Sequence, residues 1–332
     1  MTTTVAEPSW LGAQMTALAA AHQAGRLPHA LLVHEAPGTG GDWLAEWVGR
    51  LVLCQSATGA PCGACPACHK IATAQHPDLT RVQLIEESQQ IRIEQVRELS
   101  AELALTAHQG NYKVAIISPA DTLNRFAANA LLKTLEEPPS RTLLVLVVTQ
   151  PSRLPATILS RCQRVRIRAP SRQDAVAWLE VASGPGDWNA VLDALGEAPM
   201  LARAADPKNV VQVGAEVRRT LEEAASGAGD PVATAERWSR AELPLRLRCI
   251  ENWLTERIRA QCGSEGFLTK VGAAAYPQRQ NAVLNTAALF ELMDGVRELK
   301  SALDTPINRG LALEAILRRF AGPIGSGTRV RT

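Results

Sequence analysis

Apolar and polar positions along the first 170 residues switch repeatedly between a helical and a strand-like spacing. Leu11 to Gly25 is Ala-rich and predicts a helix. His29 to Glu35 (HALLVHE) predicts a short apolar strand, APGTGGD a tight loop, and Trp43 to Cys54 a second helix. Asp78 to Ile85 predicts another strand. From Ile91 to His108, apolar residues recur at 91, 93, 96, 99, 103 and 105, close to the period of a helix. Lys113 to Ile117 (KVAII) predicts a third strand. Asp121 then reads as the cap of a helix that continues to Glu137 and is stopped by Pro138 and Pro139. Leu143 to Thr149 (LLVLVVT) is the pattern of a strand buried on both faces, as inside a parallel sheet. Pro155 to Ser160 predicts a short helix and Arg164 to Arg168 a last strand. Repeated strand–helix alternation of this kind gives an α/β domain of three layers with a parallel sheet.

Pro170 ends that domain. Ser171-Arg172-Gln173-Asp174 has capping-box spacing and starts a helix. Short helices separated by Gly184-Pro185-Gly186 and by Gly196 follow, to about Pro207. From there to Phe320 every pattern is helical, with breaks at Gly227 to Pro231 and from Cys262 to Gln280. Thr305-Pro306 reads as a cap with proline at the first helical position. The predicted organisation is a core over 1–169, a small helical module over 170–207, a helical domain over 208–322 and a flexible tail over 323–332.

Composition narrows the class. Of 332 residues, 46% are apolar and 20% charged, a profile that buries real cores and excludes wholesale disorder. No apolar run approaches the ~20 residues of a membrane span, and no secretory signal is visible, so a cytoplasmic location is expected. A net charge of +2 is too mild to mark a dedicated nucleic-acid binder. Thirteen aromatic residues, seven of them Trp, do not make a base-stacking platform.

A strand, a Gly-rich turn and a helix form the setting of a phosphate-binding loop, G-x-x-x-x-G-K-[ST]. Here the turn reads Glu35-Ala36-Pro37-Gly38-Thr39-Gly40-Gly41-Asp42. Gly38 and Gly40 are in place, but Glu35 stands for the first glycine, Gly41 for the lysine and Asp42 for the Ser/Thr. Nothing neutralises the β- and γ-phosphates, nothing there ligates Mg²⁺, and two carboxylates are added where a triphosphate would sit. The adjacent acidic pair that would end the KVAII strand and hold Mg²⁺ is also missing, since Ser118-Pro119-Ala120-Asp121 follows. Two matching losses read as a phosphate loop without nucleotide; an unrelated Gly-rich turn is the plainer alternative.

Four of the seven cysteines, Cys54, Cys62, Cys65 and Cys68, fall within 15 residues. Four thiolates at this C-x7-C-x2-C-x2-C spacing suit a closed, tetrahedral, structural Zn²⁺ site. Its binding energy would fold a segment poor in apolar residues. His69 replacing one cysteine, a C-x-x-C redox pair, and c-type haem attachment at Cys65-Pro66-Ala67-Cys68-His69 are the rival readings. The other histidines are dispersed, and Glu136-Glu137 reads as a solvated helix end.

One stretch is more specific. Asn129-Ala130-Leu131-Leu132-Lys133-Thr134-Leu135-Glu136-Glu137-Pro138-Pro139 and Leu154-Pro155-Ala156-Thr157-Ile158-Leu159-Ser160-Arg161-Cys162 closely resemble the clamp-loader subunits of bacterial DNA polymerase III, of the AAA+ superfamily. Arg26 to Leu32 and the cysteine cluster match as well, and the resemblance spans roughly residues 10–205. It implies an AAA+ core with an inserted zinc module at about 54–69, a helical lid over 170–207 and an all-α collar over 208–322. Lacking the lysine and the acidic pair, the chain resembles the stationary member of that family. The resemblance then implies a non-hydrolysing subunit, ATP not expected to bind, in a five-membered ring with the gamma/tau ATPase subunits and the delta subunit. That ring loads a sliding clamp on primer-template DNA. It also implies that Arg161 acts in trans, stabilising the transferring phosphate of a neighbour, with Ser160 and Cys162 positioning it. A planar, permanently charged guanidinium suits that task; a surface arginine in a structural ion pair is the alternative. Two other functions stay open at this point: a motor-type ATPase subunit that still binds nucleotide, and a free-standing zinc-dependent DNA-binding module.

Overall fold

The structure, a computed structural model, describes residues 6–56, 60–85, 88–108, 112–262, 286–303, 305 and 307–321. The expected tail over 323–332 and most of the break after Cys262 lie outside the described residues. The chain divides into two compact units.

The first unit runs to Pro185 and includes Glu197–Arg203. Five parallel strands make its sheet: β1 (Ala30–His34), β2 (Leu79–Val82), β3 (Lys113–Ile117), β4 (Thr142–Val148) and β5 (Gln163–Arg166), in the order β2-β3-β4-β1-β5. β4 and β1 pair from Ala30↔Leu144 to His34↔Val148. Successive strand residues point to opposite faces, and the sequence fills both faces with apolar side chains. Leu31, Val33, Leu143, Val145 and Val147 meet the helices α1 (Gly12–Gln23), α2 (Gly41–Leu53) and α3 (Pro66–Ala72). Leu32, Ala115, Ile117, Leu144, Leu146 and Val148 meet α4 (Ile93–Ala104), α5 (Arg125–Glu136) and α6 (Ala156–Leu159). The expected three layers follow directly from that split. Two further helices, α7 (Arg172–Ser183) and α9 (Pro199–Ala204), belong to this unit. Ser171 caps α7 by accepting the Asp174 N–H at 3.1 Å.

Asp121 does not cap α5. Asn124 does, its side chain accepting the Ala127 N–H at 2.8 Å. Asp121 is buried instead, and its Oδ2 accepts from the Thr149 hydroxyl at 2.9 Å and the Gln150 N–H at 2.9 Å. It therefore ties the end of β4 to the turn after β3, a long-range task that helix-start chemistry does not announce.

The second unit comprises Gly186–Gly196 and the described residues from Ala204 onward. Its helices are α8 (Trp188–Leu195), α10 (Pro207–Ala225), α11 (Pro231–Arg240), α12 (Leu243–Cys262), α13 (Thr286–Ser301) and α14 (Arg309–Ala321). Thus α7 and α9 of the predicted 170–207 module fall in the unit that holds the sheet, and α8 packs with the later helices. Asp206-Pro207 and Asp230-Pro231 open α10 and α11, Asp206 accepting the Lys208 N–H and Asp230 those of Val232 and Ala233. α14 starts at Arg309, later than Thr305-Pro306 suggests, because Asn308 Oδ1 accepts the Leu311 N–H at 3.1 Å.

Two acidic residues organise this helical core. Glu216 accepts from Trp238 Nε1 at 3.0 Å and from the buried Arg246 at 2.8 Å. Glu251 meets Lys300 at 3.0 Å. Burial pushes both carboxyls up. For Glu216 the Trp238 and Arg246 hydrogen bonds outweigh it; for Glu251 the charge and hydrogen bond of Lys300 do, with Arg248 and Arg297 adding to them. Both are held below the ordinary 4.5. Depressed carboxylates stabilise the fold above the unfolded-state value, and that contribution is lost as pH falls through the lower folded-state values. The helical unit should therefore lose stability below about pH 4.5. Thermal unfolding of wild type should show a larger acid decrease in midpoint than the Glu216→Gln/Glu251→Gln double variant; equal decreases would clear both residues of that role.

Candidate functional site

The loop after β1 carries the first set of candidate residues. Gly38 and Gly40 have φ of +80° and +112°, a backbone region that glycine enters at no steric cost. The turn aims the N–H groups of Gly40 and Gly41 at one point, ahead of α2. That point is filled. Glu35, only 7% exposed, turns its Oε2 in to accept from Gly40 N at 2.8 Å, Gly41 N at 2.7 Å and the Thr39 hydroxyl at 3.3 Å. Burial pushes the Glu35 carboxyl above its ordinary value and the charge of Asp42 adds to it, while these three donors pull the other way. At Gly41, the lysine position, a Cβ would lie 2.7 Å from both Glu35 Cδ and Val147 Cγ1. Asp42, the Ser/Thr position, accepts the Ser118 hydroxyl at 2.5 Å. Ser118 directly follows β3, where the acidic pair would stand. Both halves of the loop site are thus engaged by the chain's own side chains.

Arg161 follows α6 and is the second candidate. Its Nη1 donates to Thr157 O at 2.9 Å and to Ser160 Oγ at 3.3 Å, and its Nη2 meets Glu136 Oε1 at 2.7 Å. The arginine side chain is 35% exposed. Ser160 in turn donates to Thr157 O. Cys162 is buried in the core beneath α5 and α6, where desolvation pushes its thiol up to about 11. It is therefore a packed, inert thiol that anchors the backbone next to Arg161. Glu136, read from sequence as a solvated helix end, is the arginine's partner; no local pattern joins residues 25 positions apart.

The four cysteines are the third. The Sγ atoms of Cys54, Cys62, Cys65 and Cys68 all lie within 4.8 Å of one another. Cys54–Cys65 and Cys62–Cys68 are each 4.0 Å apart. A tetrahedral ion with ~2.3 Å metal–sulfur bonds sets its sulfurs about 3.8 Å apart, so the cluster fits. Backbone N–H groups already point at the sulfurs: Ser56 and Cys62 at Cys54 Sγ, Cys65 at Cys62 Sγ, and Cys68 at Cys65 Sγ, at 3.3–3.4 Å. Burial pushes the Cys65 thiol up, but the N–H groups of Cys68 and Gln55 prevail and bring it to about 6, while burial pushes its neighbour Cys68 the other way, to about 12. Thiolate is the form a metal takes. Cys65 also caps α3, with Pro66 at its first position. His69 is exposed and stands outside the cluster.

Known proteins resemble this chain along most of its length. The family model described as "DNA polymerase III, delta subunit" matches residues 11–171. DNA polymerase III subunit delta' of Pseudomonas aeruginosa is 31% identical over 306 residues, 90% of this chain and 93% of that one. Subunit delta' of Escherichia coli is 31% identical over 325 residues, 94% of each. Subunit tau of Escherichia coli matches at 35% over 156 residues, 47% of this chain and 24% of tau. Among solved structures, a DNA polymerase III gamma-subunit-related protein from Thermotoga maritima covers 94% of this chain and 99% of its own, at TM-score 0.49 and 16% identity. No described helix is long and apolar enough to cross a membrane. With two such relatives aligned over nine-tenths of their length, the chain belongs to the delta' family of DNA polymerase III subunits.

Proposed function

We propose that this chain is the non-hydrolysing stator of a DNA polymerase III clamp loader. It sits in a ring with gamma/tau ATPase subunits and a delta subunit, and it offers Arg161 to a neighbour's nucleotide. The ring places a sliding clamp on primer-template DNA. The observation that carries this reading is the lysine position: Gly41 has no room for a side chain beside Glu35 and Val147. Such a loop does not hold a triphosphate, so ATP is not bound or turned over here. Arg161, by contrast, keeps its side chain partly exposed, and Ser160 steadies it. The four cysteines hold a structural Zn²⁺ that orders the insert at about 54–69. The helices α10–α14, in the collar of the three-part organisation, supply the ring contacts.

The test uses the full chain with motor subunits, delta, clamp and primed DNA. Adding the chain should raise ATP turnover and clamp loading, while the chain alone hydrolyses nothing. Turnover by the isolated chain that survives further purification would end the stator reading. So would a ring that loads clamps equally well without it.

A further inference from the structure

We propose that Glu35 is the resident anion of the phosphate loop. Its carboxylate stands in for a nucleotide phosphate and holds the loop, with the seat it makes for α9, in one fixed form. This rests on the reading that the loop takes no nucleotide, and it explains how the loop stays folded without one. A turn that gathers N–H groups ahead of a helix is an anion cradle. Left empty and buried, those donors would each cost about 1–3 kcal/mol. The sequence supplies the missing anion from within. Glu35 replaces the first glycine of the motif, and its side chain reaches forward five and six residues to Gly40 and Gly41. Contacts of 2.7–2.8 Å bring both N–H groups onto one carboxyl oxygen of that side chain.

The outer side of the same loop is also taken. Gly38 O accepts the Met200 N–H of α9 at 3.0 Å. A Cβ at Gly38 would meet Leu201 at 2.7 Å and Ala198 at 3.0 Å; one at Gly40 would meet Met200 at 3.1 Å and Leu11 at 3.2 Å. Trp10 Nε1 donates to Thr39 O at 2.8 Å. The loop is therefore clasped between Glu35 on one side and α9, Leu11 and Trp10 on the other. A diffusing nucleotide empties and refills such a cradle, and what packs on it can respond. A tethered carboxylate never leaves, because its local concentration does not fall with dilution. The contact with α9 is in this way made independent of nucleotide.

The test is made on the full, metal-bound chain. Glu35→Ala should lower the unfolding midpoint by about 5 °C. Pyrophosphate should restore that midpoint saturably, where chloride at the same ionic strength does not, and pyrophosphate should leave wild type unmoved. Glu35→Gln keeps an acceptor but no charge, so it should fall between the two and show no pyrophosphate response. Should Glu35→Ala not fold, the amides decide. In wild type the Gly40 and Gly41 N–H resonances should titrate together with one carboxyl midpoint, and in Glu35→Gln they should not. An Ala variant as stable as wild type, an equal pyrophosphate effect on both, or amides that ignore pH would each overturn the role of Glu35. Nucleotide that binds wild type and shifts those amides would instead sink the closed-loop reading, so the two failures are distinguishable.

Discussion

Arg161→Ala should leave the chain folded and still joining the ring, yet remove its effect on the adjacent ATPase site. An arginine supplied across an interface is worth about 10³–10⁵ in rate in the best-studied phosphoryl-transfer systems. In the proposed ring one ATPase site borders this arginine, so total ATP turnover should fall by that site's share. Clamp loading, which needs the ring to act together, should fall further. Folding should hardly change. The Glu136 pair is half-exposed, and such pairs contribute about 0.2–1 kcal/mol. Arg161→Lys separates charge from geometry, because an ammonium keeps the charge and loses the two-donor fork. It should recover little. Turnover and loading at wild-type rates in the alanine variant would reduce Arg161 to a structural partner of Glu136, and this chain to a scaffold.

The architecture was legible where chemistry is local and periodic. LLVLVVT reads as a strand covered on both faces, and β4 does sit inside the sheet with all seven residues buried. Ser171 to Asp174 starts a helix for reasons contained in four adjacent residues, whereas Asp206-Pro207 and Asp230-Pro231, read only as a boundary and a break, also open helices. Asp121 was not legible, because its partners Thr149 and Gln150 arrive from another strand. α8 and α9 have similar local patterns; what separates them is packing against distant surfaces, with α8 joining α10 and α12, and α9 meeting the loop after β1.

The same division runs through the candidate sites. Cysteine spacing announces a metal centre because its four ligands lie on one short excursion, and the Sγ cluster matches that expectation. The degenerate loop was readable as a loss: no lysine, no hydroxyl, no acidic pair. What replaces the loss was not. Glu35 and Asp42 look from sequence like two charges repelling a triphosphate. In the fold they diverge, Glu35 inward to Gly40 and Gly41, Asp42 outward to Ser118. A residue's direction off a turn depends on φ values that only the glycines of this loop adopt, and composition does not carry that information.

Stripping the metal should produce the largest structural effect of any single perturbation. One Zn²⁺ per chain is expected, released by a strong chelator and poorly held by Cys65→Ser or Cys68→Ser. Most of the binding energy, about 10–16 kcal/mol for small zinc peptides, goes into folding the insert itself. What reaches the rest of the core is smaller. Ala67, Cys68 and Ile71 of α3 are buried, and Ile71 packs in the cluster that holds α2 to the sheet. Burying an isoleucine contributes about 1.5–3 kcal/mol, and the smaller Ala67 and Cys68 contribute less. Loosening α3 should therefore lower the unfolding midpoint of the sheet unit by about 10 °C without dissolving it. Hydrogen exchange should rise across α3 and the last turn of α2, and remain slow in β1, β3 and β4. His69→Ala should keep full zinc content, since the imidazole lies outside the cluster. Zinc lost from the His69 variant, or retained at one per chain after both serine substitutions, would mean that the ion sits elsewhere and that the four thiols are merely neighbours.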